Sequence, residues 1–240
     1  MSEADLASPK PAQKDGSPFV IDHVFMLVEP KGGREMEALA QGGLTKSWSR
    51  PHVGMGSANI FLCFDNAFLE LVWFDNEAEA LTSPVGRRLV ERWTKRDQGA
   101  MTFGIAVRAP APDHRMPFEG WRFKPPSASD MVNTVTIANS SDDVGQPFLF
   151  RSQRSIPPSA WTDGLAGERQ RPGGFGSITR WTLHMPAGVA PGPDLQVLQD
   201  QGLLTLGPSL GPKTAWTIEA SRIDCGPPRR FRLPDCTWED

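Results

Sequence analysis

The ten residues Phe19 to Val28, FVIDHVFMLV, restrict the fold more than any other feature of this 240-residue chain. The run is β-branched and aromatic, apolar on both faces, and interrupted only by Asp22 and His23. A strand of that kind belongs inside a sheet covered on two sides. Pro30-Lys31-Gly32-Gly33 ends it, and Arg34 to Gln41 then places Met36, Leu39 and Ala40 on one helical stripe closed by Gly42-Gly43. A short strand over Leu44 to Trp48 follows, then the loop PHVGMGSAN from Pro51 to Asn59, then strands Ile60 to Phe64 and Phe68 to Phe74 about the turn Asp65-Asn66. The order is β-α-β-β-β.

Ser83-Pro84 has the form of an N-cap with proline at the first helical position, and Val85, Leu89 and Trp93 repeat at helical spacing up to Gly99. Strands are expected at Met101 to Val107, Trp121 to Phe123, Val132 to Ala138 and Pro147 to Gln153. This second set lacks a helix between its first two strands, where the proline-rich APAPDHRMPFEG stands. A third start at Ser177 to Met185 leads to a helix at Asp194 to Gly202 and strands at Leu203 to Leu206 and Ala215 to Ala220. The pattern predicts an α+β fold of paired βαβββ modules in a cupped mixed sheet, the second module imperfect, with a C-terminal βα extension. Regular β-α alternation, as in a Rossmann or TIM fold, is missing. The expected division is a disordered leader over 1–18, a first module with its linking helix over 19–98, a second module over 99–153, a long loop over 154–176, and a βα unit over 177–240 completing the same domain.

A formal charge of −3 offers no general basic field and argues against nucleic acid as a partner. Arg87, Arg88, Arg92 and Arg96 recur at helical spacing and read as a solvated helix face. Arg229-Arg230-Phe231-Arg232 reads as a surface segment. Three cysteines, Cys63, Cys225 and Cys236, without a CxxC pair, argue for a reducing compartment. No apolar stretch reaches the length of a membrane span, and the first residues lack a signal-peptide core, so a cytoplasmic location away from membranes is expected.

His23 and Glu70 stand out because each interrupts an apolar strand. A buried imidazole must be satisfied, either by the backbone in the core or by a ligand, and a carboxylate in FLELVW must reach a partner or water. His52 and Asn59 belong to the glycine loop, and His184 stands at a strand end. Trp48, Trp73 and Trp121 are candidate pocket walls, and Arg122 and Arg151 candidate clamps for a carboxylate.

Together, IDHVFMLV, PHVGMGSANIFLCF and FLELVW resemble the first module of a glyoxalase-like domain of the vicinal oxygen chelate superfamily, and SPVGRRLVERWTKRDQGAMTFGIAVR and MPFEGWRFKPP resemble its uncharacterised bacterial branch. The resemblance implies that His23 and Glu70 point into a shared cup, where such proteins bind a divalent metal, with Zn, Fe, Mn or Ni suited to the donors; a third ligand would have to come from His52, whose loop precedes a strand entering the cup, or from His184. It also implies a small-molecule ligand, a homodimer as one way of completing the site, and a metal-assisted lyase, isomerase or dioxygenase reaction on a small oxygen-rich molecule. Two other readings stay open, a metal-free His23/Glu70 acid–base enzyme and a small-molecule-binding or sequestering module. The second module departs from the pattern: Thr102, Phe150 and Arg151 occupy the positions where further ligands would fall, leaving the metal site incomplete.

Overall fold

The computed structural model describes residues 17–111, 113–126 and 134–239. The expected leader falls outside these except for Ser17, whose hydroxyl bonds to Gln201, and Pro18. The chain opens with β1 (Val20–Leu27), α1 (Gly33–Gln41), β2 (Trp48–His52), β3 (Ser57–Cys63) and β4 (Phe68–Phe74), the β-α-β-β-β order read from the sequence. After α2 (Glu77–Ala80) and α3 (Pro84–Thr94) come β5 (Phe103–Arg108), β6 (Gly120–Phe123), β7 (Val135–Ala138) and β8 (Phe148–Arg151). The first residues of the expected strand at Val132 to Ala138 lie outside the described ones.

These eight strands form one mixed sheet in the order β2-β3-β4-β1-β5-β8-β7-β6. Each half repeats the other. β1 is parallel to β4, β5 is parallel to β8, and β1 and β5 join the halves antiparallel. The fold class is therefore α+β with paired modules, the second without its internal helix. That gap is filled from the far end of the chain: Leu195 and Leu198 of α4 (Pro193–Asp200) share a core with Ile105, Ala138 and Leu149 on the outer face of the second half.

A second sheet covers that outer face. It combines β9 (Phe175–His184), β10 (Thr205–Gly207), β11 (Ala215–Arg222), β12 (Arg229–Leu233) and β13 (Thr237–Glu239) in the order β10-β9-β11-β12-β13. Phe64 stacks on Phe231 at 6.4 Å, and Val24, Met26, Leu69 and Leu71 join the same core. Burial on two sides is why β1 and β4 carry few polar residues. Trp238 lies so close to Gly42 that a side chain there would overlap its indole.

Three expectations need correction. β2 lies later than Leu44 to Trp48 and includes Pro51, which it tolerates as an edge strand. The Arg229 to Arg232 surface segment is also a strand that helps build the core: Phe231 and Leu233 face inward, while Arg230 and Arg232 pair with Glu219 and Glu239. Arg92 does not lie on a solvated face. It is fully buried, and its guanidinium donates to the carbonyls of Met101, Ser141, Asp143, Val144 and Gln146 at 2.6–3.3 Å.

Candidate active site

A bulge in β1 creates the site. The β1–β5 register shifts between Ile21 and His23, so Asp22 is the extra residue, and it faces the same cavity as its neighbour instead of the opposite side of the sheet. Asp22 Oδ2 lies 2.9 Å from His23 Nδ1. Two further groups hold the carboxylate. Arg108 Nη1 donates to Oδ1 at 2.8 Å, and Ser152 donates to Oδ2 at 2.7 Å. With Nδ1 bonded to this carboxylate, the imidazole turns Nε2 toward the cavity and Glu70.

Glu70 comes from β4, whose residues Phe68, Glu70 and Val72 alternate onto the cup face while Leu69, Leu71 and Trp73 face the outer core. β4 is an interior strand, so the carboxylate is buried at 8% exposure and does not reach water at a sheet edge. Its Oε2 lies 3.4 Å from His23 Nε2. Its Oε1 accepts from Asn59 Nδ2 at 2.5 Å. That amide nitrogen also lies 2.9 Å from His52 Nε2, and His52 Nδ1 lies 2.9 Å from Ser57 Oγ. One polar chain thus runs from Ser57 through His52, Asn59, Glu70, His23 and Asp22 to Arg108.

Burial lowers the pKa of His52, with Arg50 adding to the effect and Glu70 opposing it. A neutral imidazole matches the bonding, since Nε2 accepts from an amide and Nδ1 donates to a hydroxyl. A histidine with a depressed folded pKa stabilises the protein fully above its unfolded value of about 6.5, and that contribution is lost as pH falls toward the folded value. Urea unfolding of His52→Gln should therefore depend less steeply on pH below about 6.5 than the wild type does. Parallel curves for the two proteins would contradict the assignment.

The cavity above this chain has a volume of about 640 Å³. Phe25 and Val72 continue the floor beyond His23 and Glu70. Gly104 faces Phe25 on β5, and a methyl group there would fall 2.0 Å from the ring, so glycine is what lets the ring lie flat across the sheet. Trp48 and Trp161 stand at one side, each with an arginine over its indole, Arg50 at 5.2 Å and Arg154 at 4.2 Å. Trp161 and Leu165 belong to the long connection after β8, which thereby forms part of the wall.

Of the residues singled out in the sequence, His23, Glu70, His52 and Trp48 meet in this cavity. The others do not reach it. Asn59 is fully buried beneath His52 and Glu70, where it orders both. Trp73 alternates to the outer face and donates to Asp75. Arg122 pairs across from Thr136, opposite the face that carries Phe123, and Arg151 alternates with the inward Phe150 and donates to the carbonyl of Ala111. Trp121 shares the cup face but is held at its rim beneath Arg88. His184 belongs to the second sheet, between Pro208 and Thr217. Asp22, Arg108 and Ser152 are the members that sequence reasoning missed. The adjacency of Asp22 to His23 was the available signal, but strict alternation would have put the two on opposite faces.

The donors do not assemble a metal centre. Among the described residues no group of three or more His, Cys, Asp and Glu side chains is arranged to hold an ion. His52 Nε2 is occupied by the Asn59 amide, and Asp22 by Arg108 and Ser152. The second half of the sheet presents Phe148 and Phe150 to the cavity. His23 Nε2 and one oxygen of Glu70 are then the remaining donors, short of the three protein ligands usual in a catalytic site.

A cupped mixed sheet thus holds a convergent polar cluster in an apolar pocket on an α+β scaffold. Residues 21–120 match the family model described as a glyoxalase-like domain. No curated protein matches the sequence. Among solved structures, a hypothetical protein from Staphylococcus aureus aligns at 11% identity and a TM-score of 0.40 over 70% of each chain. A methylmalonyl-CoA epimerase, solved with methylmalonyl-CoA and NH4+, aligns at 16% identity and a TM-score of 0.29 over 59% of this chain and 100% of its own. Among the described residues no helix is long and apolar enough to cross a membrane.

Proposed function

We propose that this protein is an acid–base enzyme acting on a small carbonyl compound, with His23 moving a proton at the carbon next to the carbonyl. The observation that carries this reading is the alignment of Asp22, His23 and Glu70 at the floor of an apolar cavity, at 2.9 and 3.4 Å. Asp22 holds the Nδ1 proton, so Nε2 is the base. The proton leaves carbon for Nε2, and the C–H electron pair is delocalised into the carbonyl as an enolate. Glu70, facing Nε2, can take up that proton and hand it back to His23 before it returns to carbon. No net oxidation or reduction occurs, and the product is an isomer of the substrate or the substrate with its proton exchanged.

The metal-assisted lyase, isomerase or dioxygenase expected from the resemblance has less support, because the nearby donors already bond to one another. A sequestering module has less support as well, since binding alone does not require an imidazole tied to a carboxylate. The test is deuterium exchange from D2O into the α-position of phenylacetone, followed by NMR with and without a chelator. Exchange above the buffer rate that persists under chelation is the expected result. Loss of exchange on chelation, or calorimetric uptake of one Zn, Ni, Mn or Fe(II) ion per chain, would overturn the metal-free reading. Compounds recovered without exchange would leave the binding module in its place.

A further inference from the structure

The cavity is polar at one end only. Its hydrogen-bonding floor comes from the first half of the sheet, through Asp22, His23, His52, Ser57 and Glu70, with Arg50 beside it and Ser152, Gln153 and Arg154 joining it from the chain just after β8. From β6, β7 and β8 the lining residues are Phe123, Val135, Ile137, Phe148 and Phe150, all of them apolar. α3 closes the same end with Val85 and Leu89. These side chains form a cluster of their own with Phe25 and Val72, separate from the core under the second sheet.

A small, uniformly polar molecule would leave this end filled with poorly hydrogen-bonded water, whereas an apolar group entering it is favoured by removal of its surface from water. From this segregation, and resting on the acid–base reading, we infer the substrate class: a carbonyl compound with a large aliphatic or aromatic body. The carbonyl head stands over His23 and Glu70, and the body extends past Phe25 and Val72 toward Val135, Ile137 and Phe148. The second half of the sheet, which contributes no base or ligand, is then the specificity half.

Calorimetric titration with butanone, hexan-2-one, octan-2-one and decan-2-one tests this without turnover. Affinity should rise about fourfold for each methylene added until the apolar end is full. Val135→Phe, which fills that end, should level the series off at hexan-2-one, and Val135→Thr, nearly the same shape but polar, should flatten its slope throughout. His23→Gln should keep the wild-type slope. An affinity independent of chain length in the wild type, or a slope unchanged in both Val135 variants, would overturn the inference. A rising series without α-deuterium exchange would sink the acid–base reading and leave this one standing; exchange with a flat series would do the reverse.

Discussion

His23→Gln should lower α-deuterium exchange by about 10²–10⁴-fold, the usual contribution of a positioned general base, while its thermal midpoint stays close to that of the wild type. The fold should tolerate the change because Asp22 keeps its bonds to Arg108 and Ser152. Asp22→Asn should lose a comparable factor for a different reason. An amide at that position donates toward Nδ1 and drives the imidazole proton onto Nε2, which removes the base without removing the ring. It also leaves Arg108 without its buried carboxylate, so its rate must be read per folded molecule and across pH. Exchange at the wild-type rate in His23→Gln would end the mechanism.

Arg92→Met should destabilise the protein by roughly 3–5 kcal/mol. Burial pulls the guanidinium pKa down to about 10, opposed by the nearby Asp143, Glu91 and Asp142, so it remains charged at neutral pH. It binds five carbonyls, one just before β5 and four in the connection between β7 and β8, and several would be left buried without a donor, at about 1–3 kcal/mol each. For a chain of this length the loss corresponds to a thermal midpoint lower by on the order of 10 °C. A midpoint unchanged within error would show those carbonyls to be satisfied by water.

The long, periodic elements were legible in the sequence. The helix after Ser83-Pro84 has the capping bond that its residues announce, the Gly86 amide donating to the Ser83 hydroxyl oxygen. The βαβββ order of the first half followed from Phe19 to Phe74 because apolar runs and glycine breaks are local signals. β12 was overlooked because its arginines outweighed the alternation of Phe231 and Leu233, although that alternation was the strand signal. Arg92 was misread because charge at helical spacing cannot distinguish a face bathed in water from one pressed against backbone carbonyls.

The residues themselves determined that an imidazole and a carboxylate would interrupt two apolar strands, since each change of polarity can be read along the chain. The company those groups keep was a tertiary matter. One extra residue in β1, paired against β5, rotates Asp22 beside His23, and such a bulge depends on a strand more than 80 residues away. For the same reason the apolar end of the cavity could not be foreseen: Phe123, Val135 and Phe148 become a wall only when the two halves of the sheet close around one space.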